Sequence, residues 1–240
     1  MIAMLLAAGR GERMRPLTDC IPKPLLEAGG KPLIVWHIEK LVRAGIRELV
    51  INHAHLGAQI EAALGDGSSF GAHIRYSPEV RALETAGGIA NALPLLGDVP
   101  FAVINSDIFC DYDFAQLPAR SAAMLTNGDM AQLVLVDNPP HHTNGDFALS
   151  GSRIVPLSTL HSPLPALLTF SGIGIYRPSL FRHITRGSVA PLAPLLRQQI
   201  ALGKTGGEHH RSLWMDVGTP ERLSELDRLI AGYSTIRHDH

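Results

Sequence analysis

The sequence predicts an α/β fold: a mixed, mostly parallel sheet covered by helices on both faces. Two observations carry this expectation. Short apolar runs alternate with helical periodicity through the first half, a βαβαβαβ order that joins parallel strands. At the head of the chain, an apolar run from Met1 to Ala7 empties into a Gly- and Arg-rich loop spanning Gly9 to Pro24. Such a loop lets backbone N–H groups approach a bound anion closely.

The remaining elements follow in order. Pro32 opens a helix with Ile34, Ile38 and Leu41 on one face, and Gly45 is placed to end it. Glu48–Asn52 reads as a strand, Gly57–Leu64 as a helix, Ile74–Ser77 as a strand, Thr85–Leu93 as a helix and Phe101–Asn105 as a strand. The second half is less regular, with strands expected at Gln132–Asp137, Arg153–Leu157 and Leu168–Tyr176 between Pro-rich connections. A helix at Ala193–Leu202 and a strand at Leu213–Asp216 precede the last helix. That helix starts at the N-cap Thr219 with Pro220 in its first position, and buries Leu223, Leu226 and Ile230. Gly232 is expected to end it, leaving 233–240 as a frayed tail. No linker separates two cores, so 1–232 is expected to form a single domain.

Composition removes several classes of function. The chain has 240 residues, is 45% hydrophobic and 18% charged, and carries a net charge of −1. A protein that lives on nucleic-acid phosphates shows a basic excess, and this one has none. Of its cations 17 are Arg and only 4 are Lys, so each Lys is worth locating. Cys20 and Cys110 form no disulfide framework and fit a reducing compartment. The run Met1–Ala8 is too short to span a bilayer, and it lacks a cationic n-region and is followed directly by Arg10, Arg13 and Arg15, so a signal peptide is not expected. A cytoplasmic protein with no membrane partner is expected; the sequence carries no sign of oligomeric state.

The first loop reads Leu5-Leu6-Ala7-Ala8-Gly9-Arg10-Gly11-Glu12-Arg13-Met14-Arg15-Pro16 and closes at Pro22-Lys23-Pro24. It is neither a Walker A loop nor the G-x-G-x-x-G dinucleotide fingerprint, since Met14 stands at the third glycine. Arg13, Arg15 and Lys23 add cations where a polyphosphate would sit. Asp107 and Asp216 each close an apolar strand with no Cys or His at ligand spacing, which suits a hard cation such as Mg²⁺. His141-His142 and His209-His210 lack such spacing too and read as loop histidines. His53 and His55 follow the second strand, near the crevice or as caps. Trp36 and Trp214 read as core or site-wall aromatics.

Five ordered motifs resemble those of the sugar-1-phosphate nucleotidyltransferases: the first loop, Leu83-Glu84-Thr85-Ala86-Gly87-Gly88, the strand ending Asn105-Ser106-Asp107, the strand Phe170-Ser171-Gly172-Ile173-Gly174-Ile175-Tyr176, and Trp214-Met215-Asp216-Val217-Gly218-Thr219-Pro220. The resemblance covers nearly the whole chain and implies the Rossmann-like fold of that family. It implies UTP and a sugar 1-phosphate as substrates and Mg²⁺ as cofactor. Ala8, Gly9, Gly11, Glu12, Arg13, Lys23, Glu79, Gly87, Gly88 and Asn105 would bind the nucleotide, with Glu79 reading the pyrimidine edge. Arg13, Lys23 and Asp107 would be catalytic, Asp107 and Asp216 would hold the metal, and Asn105, Asp146 and Glu208 would face the sugar.

Three departures accompany the resemblance. Ser106 replaces a glycine beside Asp107, where its side chain threatens to crowd metal or ribose. Ser171 and Gly172 replace an Asn-Ala pair, so an amide contact to the sugar is missing. No Lys lies in Leu157–Leu168, where relatives place a cation for the sugar phosphate, leaving Arg153, Arg211 or Lys204 as substitutes. The chain stops soon after Ile230, so an appended left-handed β-helix acyltransferase is not expected. Two other readings stand beside the UTP-dependent one: mannose 1-phosphate with GTP, and a regulatory subunit that binds nucleotide sugars without catalysis.

Overall fold

A computed structural model describes residues 1–156 and 167–236. The first half contains β1 (Ile2–Leu6), the short hairpin β2 (Glu27–Ala28) and β3 (Lys31–Pro32), α1 (Leu33–Arg43), β4 (Glu48–His53), α2 (Gly57–Leu64), β5 (His73–Pro78), α3 (Glu84–Leu96), β6 (Phe101–Asn105) and β7 (Ile108–Cys110). The second contains α4 (Leu117–Asn127), β8 (Ala131–Val136), β9 (Phe147–Ser150), β10 (Arg153–Val155), β11 (Leu167–Tyr176), α5 (Leu192–Ala201), β12 (Thr205–His209), β13 (Trp214–Asp216) and α6 (Pro220–Ile236).

Nine strands form one sheet in the order β5-β4-β1-β6-β11-β8-β12-β10-β9. The β5-β4-β1-β6 half is parallel. β11 runs antiparallel to both β6 and β8, and β12 returns parallel to β8. The fold class is the one the sequence predicts.

Alternation along β1 explains the two-sided core. Ala3 and Leu5 point to one face, packing with Leu49 and Ile51 of β4 and with Ile34, Ile38 and Leu41 of α1. Met4 points to the other, with Val50, Val103, Ile89 of α3 and Leu196 of α5. Each large side chain so buried contributes roughly 1.5–3 kcal/mol relative to exposure. A third, smaller cluster joins Met14, Leu26, Leu33, Phe109, Val217, Leu226 and Ile230. It ties the first loop, β7 and α6 into one unit.

The structure adds β2, β3, β7, α4, β9 and β12 to the elements expected, and it lengthens the last helix. α6 runs through Gly232 to Ile236. Gly232 is not among the glycines with positive φ, so it lacks the left-handed conformation by which a glycine ends a helix. The rest of the expected tail, 237–240, lies outside the described residues, as does Leu157 at the end of the strand expected from Arg153.

Candidate active site

The parallel half of the sheet determines where the site lies. Register places Leu6 beside both Asn52 and Asn105, and Asn52 beside Ser77. The carboxyl ends of β1, β4, β5 and β6 therefore form one edge, the edge at which open α/β sheets bind ligands. A cavity of 220 Å³ opens there, lined by Ala7, Ala8, Gly9, Lys23, Asn52, Glu79, Glu84, Thr85, Asn105 and Asp107 among others.

The first loop is held from both ends. The Ala7 N–H donates to Asn52 Oδ1 at 3.0 Å, while Met14 is fully buried in the third cluster. Between them Gly11 has φ +65°, and a Cβ there would meet Thr18 Cγ2 at 2.9 Å and Lys23 Cβ at 3.1 Å. Gly9 differs, since a Cβ there would meet no atom within 4 Å. Glu12 and Arg13 are exposed, and Arg15 is taken up by an exposed pair with Asp19. Lys23 is 8% exposed and its Nζ lies 2.5 Å from Asp107 Oδ2.

Asp107 and Asp216, distant in sequence, are brought together by pairing of β7 with β13. Asp216 stands opposite Ile108, and the Val217 N–H donates to the Asp107 carbonyl at 2.7 Å. Asp216 Oδ1 is met by Arg222 Nη1 from the first turn of α6 and by His141 Nε2 at 2.7 Å. A Cβ at Gly218 would lie 2.6 Å from Arg222 Nη2, 3.1 Å from Arg13 Nη2 and 3.1 Å from Asp216 Oδ2. The three side-chain ends thus converge over Gly218. The known partners thus occupy one oxygen of each carboxylate. No group of three or more His, Cys, Asp or Glu side chains is placed to hold a metal among the described residues.

Behind this centre α1 supports β7. His37 Nε2 bonds the Ile108 carbonyl at 2.7 Å, and Lys40 Nζ donates to the Cys110 carbonyl. Burial pulls the His37 pKa down to about 4, so the ring is neutral with its proton on Nε2. Its Nδ1 has no hydrogen-bond partner among the described residues.

At the far wall Glu79 is 7% exposed. Its Oε1 accepts from Asn52 Nδ2 at 2.7 Å and its Oε2 from the Leu83 N–H at 2.9 Å. Burial raises its pKa, and those two hydrogen bonds and His53 work against the rise. Gly88 makes room for this pair, because a Cβ there would lie 2.7 Å from Glu79 Oε1. Gly87 instead packs on the chain at Ser188–Ala190, donating to the Ala190 carbonyl at 3.0 Å. The structure thus assigns both glycines to close packing behind the cavity, and it is Glu84 and Thr85 that line it.

A second cavity, of 470 Å³, adjoins the first through Glu84, Thr85 and Asn105, and extends between Asp146, Phe147, Phe170 and α5. The Asn105 side chain lies over Gly172, where a Cβ would come within 2.8 Å of it. Asp146 Oδ2 accepts from the Phe170 N–H at 2.8 Å and Oδ1 faces His142 Nε2 at 3.0 Å. Glu208 is not brought to either cavity. It bonds Tyr112 Oη at 2.6 Å and Arg120 at 2.6 Å in a groove on another flank, since β12 lies beyond β8 from the parallel strands.

The departures resolve locally. The Ser106 hydroxyl donates to the Leu6 carbonyl at 2.5 Å, so it staples β6 to β1, and its backbone has no positive φ that would call for glycine. Ser171 Oγ donates to the Val134 carbonyl at 2.7 Å. Arg153 is paired with Asp129, and Arg211 donates to His209, both beside Glu208; neither supplies the missing cation. His209, expected in a loop, ends β12, and each of the four histidines faces an aspartate, His141 on Asp216, His142 on Asp146, His209 on Asp137 and His210 on Asp111. His53 is buried in β4 against Glu61 at 2.7 Å. Trp36 and Trp214 bond the Ala28 and Ser171 carbonyls.

Sequence reasoning missed Asn52 as a site residue. Its signal was a lone amide closing the apolar run Leu49-Val50-Ile51, a polar group whose burial requires partners. It also missed Arg222 and His141, which reach Asp216 from a helix turn and a loop whose approach no spacing reveals.

Comparison with known proteins places the chain in a family. The chain is 53% identical over 236 residues to an N-acetylmuramate α-1-phosphate uridylyltransferase from Neisseria meningitidis serogroup B, covering 97% of this chain and 100% of that one. It is 36% identical to a protein of the same name from Caulobacter vibrioides, over 92% and 93% of the two chains. A solved Bacillus anthracis structure assigned as a glucose-1-phosphate thymidylyltransferase shares the fold, with a TM-score of 0.81 at 20% identity over 96% and 95%. Residues 2–231 match the nucleotidyl transferase family, and with its loop, paired aspartates and carboxyl-edge cavity the chain belongs to that family.

Proposed function

We propose that the chain transfers UMP from UTP to N-acetylmuramate 1-phosphate, releasing pyrophosphate and forming UDP-N-acetylmuramate, a step in reuse of cell-wall sugar. The Lys23–Asp107 pair on a cavity whose far wall holds Glu79, with Asp216 on the strand paired beside Asp107, carries this reading. The Neisseria meningitidis relative at 53% identity bears that activity in its name, whereas mannose-1-phosphate guanyltransferases such as that of Aspergillus fumigatus stand at 33% identity.

The reaction needs placement more than a protein nucleophile. The sugar phosphate already carries a charged oxygen, which attacks the α-phosphorus in line as the bond to pyrophosphate breaks. Backbone N–H groups from Ala8 to Gly11 would cradle the triphosphate, with Arg13 and Lys23 opposing the charge that gathers on the α-phosphate and leaving group. Glu79, an acceptor fixed by two donors, would take the N3–H of uracil, and Asn105 stands where ribose and sugar meet. Asp146 borders the sugar chamber; Glu208 drops out of the proposed set. Asp107 and Asp216 offer hard oxygen donors and no thiolate, which fits Mg²⁺ with phosphates and water completing its shell. When bound, that ion would offset negative charge on the reacting phosphates. Loading it requires Lys23, Arg222 and His141 to share or release the carboxylates they now hold. Exposed Cys20 and buried Cys110 remain free, in keeping with the reducing cytoplasm proposed here.

The test is transfer of label from α-phosphate-labelled UTP into the UDP-sugar. Asp107→Asn should lower kcat by about 10²-fold or more if the carboxylate holds the ion. No transfer by the unaltered protein would overturn the proposal.

A further inference from the structure

The second cavity holds an unclaimed cation. On α5 the residues Ala193, Leu196 and Arg197 stand at i, i+3 and i+4, hence on one helix face, and all three line the cavity with Phe147, Phe170 and Leu192. Its two acidic lining residues are Glu84 and Asp146, and Asp146 is already bound to the Phe170 N–H and His142. Arg197 has no ion pair or hydrogen bond among the described residues. Arg197, the only cation among the described residues that line this aromatic and aliphatic chamber and without an acid of its own among them, is arranged to receive an anion that also carries apolar carbon.

The reactive phosphate does not account for this arrangement, because the phosphate belongs beside Lys23 and Asp107 in the first cavity, across Thr85 and Asn105. The anion must lie elsewhere on the sugar. We infer that Arg197 binds the carboxylate of an acidic ether substituent on the sugar ring, with the substituent's methyl group against Phe147, Phe170 and Leu196, and so selects an acidic sugar over its neutral counterpart. This rests on the substrate reading above, in which the lactyl ether of N-acetylmuramate is that substituent. The size of the chamber, 470 Å³, is that of a small-molecule site.

The test compares three acceptors: N-acetylmuramate 1-phosphate, its lactyl amide, and N-acetylglucosamine 1-phosphate, which lacks the ether. Arg197→Ala should raise KM and lower kcat/KM for the acid by about 10- to 100-fold, the range of a charge-assisted hydrogen bond. It should leave the other two acceptors unchanged, and Arg197→Lys should recover part of the loss. The amide should cost the unaltered protein a similar factor and cost Arg197→Ala nothing more. Equal loss on all three acceptors, or no loss on the acid, overturns the role of Arg197 while leaving the substrate reading intact. An unaltered protein that does not prefer the acid to the glucosamine ester overturns the substrate reading, and the inference with it. Because Arg197 is exposed on its helix, thermal melts of the variants should match the parent.

Discussion

Asn52 couples two jobs through one amide. Its oxygen fixes the Ala7 N–H at the start of the first loop, and its nitrogen fixes Glu79 at the far wall of the cavity. Both contacts are buried, so loss of the amide leaves a donor and a carboxylate oxygen without partners, at about 1–3 kcal/mol each. Asn52→Ala should therefore lower thermal stability and raise the KM for UTP by about tenfold or more, while Asn52→Asp should lose the Glu79 contact and set two carboxylates face to face. Steady-state kinetics with UTP varied, beside a melting curve, checks both; unchanged KM in Asn52→Ala would remove Asn52 from the site. Single residues were legible where chemistry and position coincide. Lys23 and Asp107 stand in ordered motifs and do meet. The resemblance implies a sugar-facing Glu208, but its strand carries it to a groove apart from both cavities.

At the scale of elements, β11 explains how one strand serves sheet and site together. Its register against β8 shifts between Phe170 and Ile173, and Gly172 at that irregularity has φ +83°. The bulge brings Gly172 under the Asn105 side chain, leaving no room for a Cβ. Gly172→Ala should cost roughly 1–2 kcal/mol for the left-handed conformation alone, and more as Asn105 is displaced. Chemical denaturation checks the first loss, and a raised KM for the sugar phosphate checks the second. Elements hidden in the sequence were hidden for physical reasons. β12 reads Thr-Gly-Gly-Glu-His because a Cβ at Gly206 would strike Gln132 and one at Gly207 would strike Ile154 and Leu149; packing removed the β-branched residues by which strands are recognised. In α4 the buried face is Leu117, Ser121 and Met124, where a serine interrupts the apolar stripe. The parallel half was legible because its strands are buried on both faces and read as continuous apolar runs.

At the scale of the whole molecule, the near-zero net charge conceals a division of labour. The first loop concentrates Arg10, Arg13, Arg15 and Lys23, and the paired aspartates come from β-strand ends far along the chain. Folding joins them, and His37 makes that union sensitive to acid. Folded His37 titrates at about 4 against an ordinary value of 6.5. Between those values the unfolded chain binds the proton and the folded chain does not, so stability falls as pH drops from about 6.5 toward 4, by about 3 kcal/mol. Above pH 6.5 the term is fully present. His37→Gln should flatten the dependence of melting temperature on pH in that window, and an unchanged slope would assign acid sensitivity elsewhere.

The most direct test measures pyrophosphate release with Mg²⁺ across the four nucleoside triphosphates paired with N-acetylmuramate, N-acetylglucosamine, glucose and mannose 1-phosphates. UTP with N-acetylmuramate 1-phosphate should give the highest kcat/KM of the set. A maximum at GTP with mannose 1-phosphate, or no release with any pair, would contradict the account.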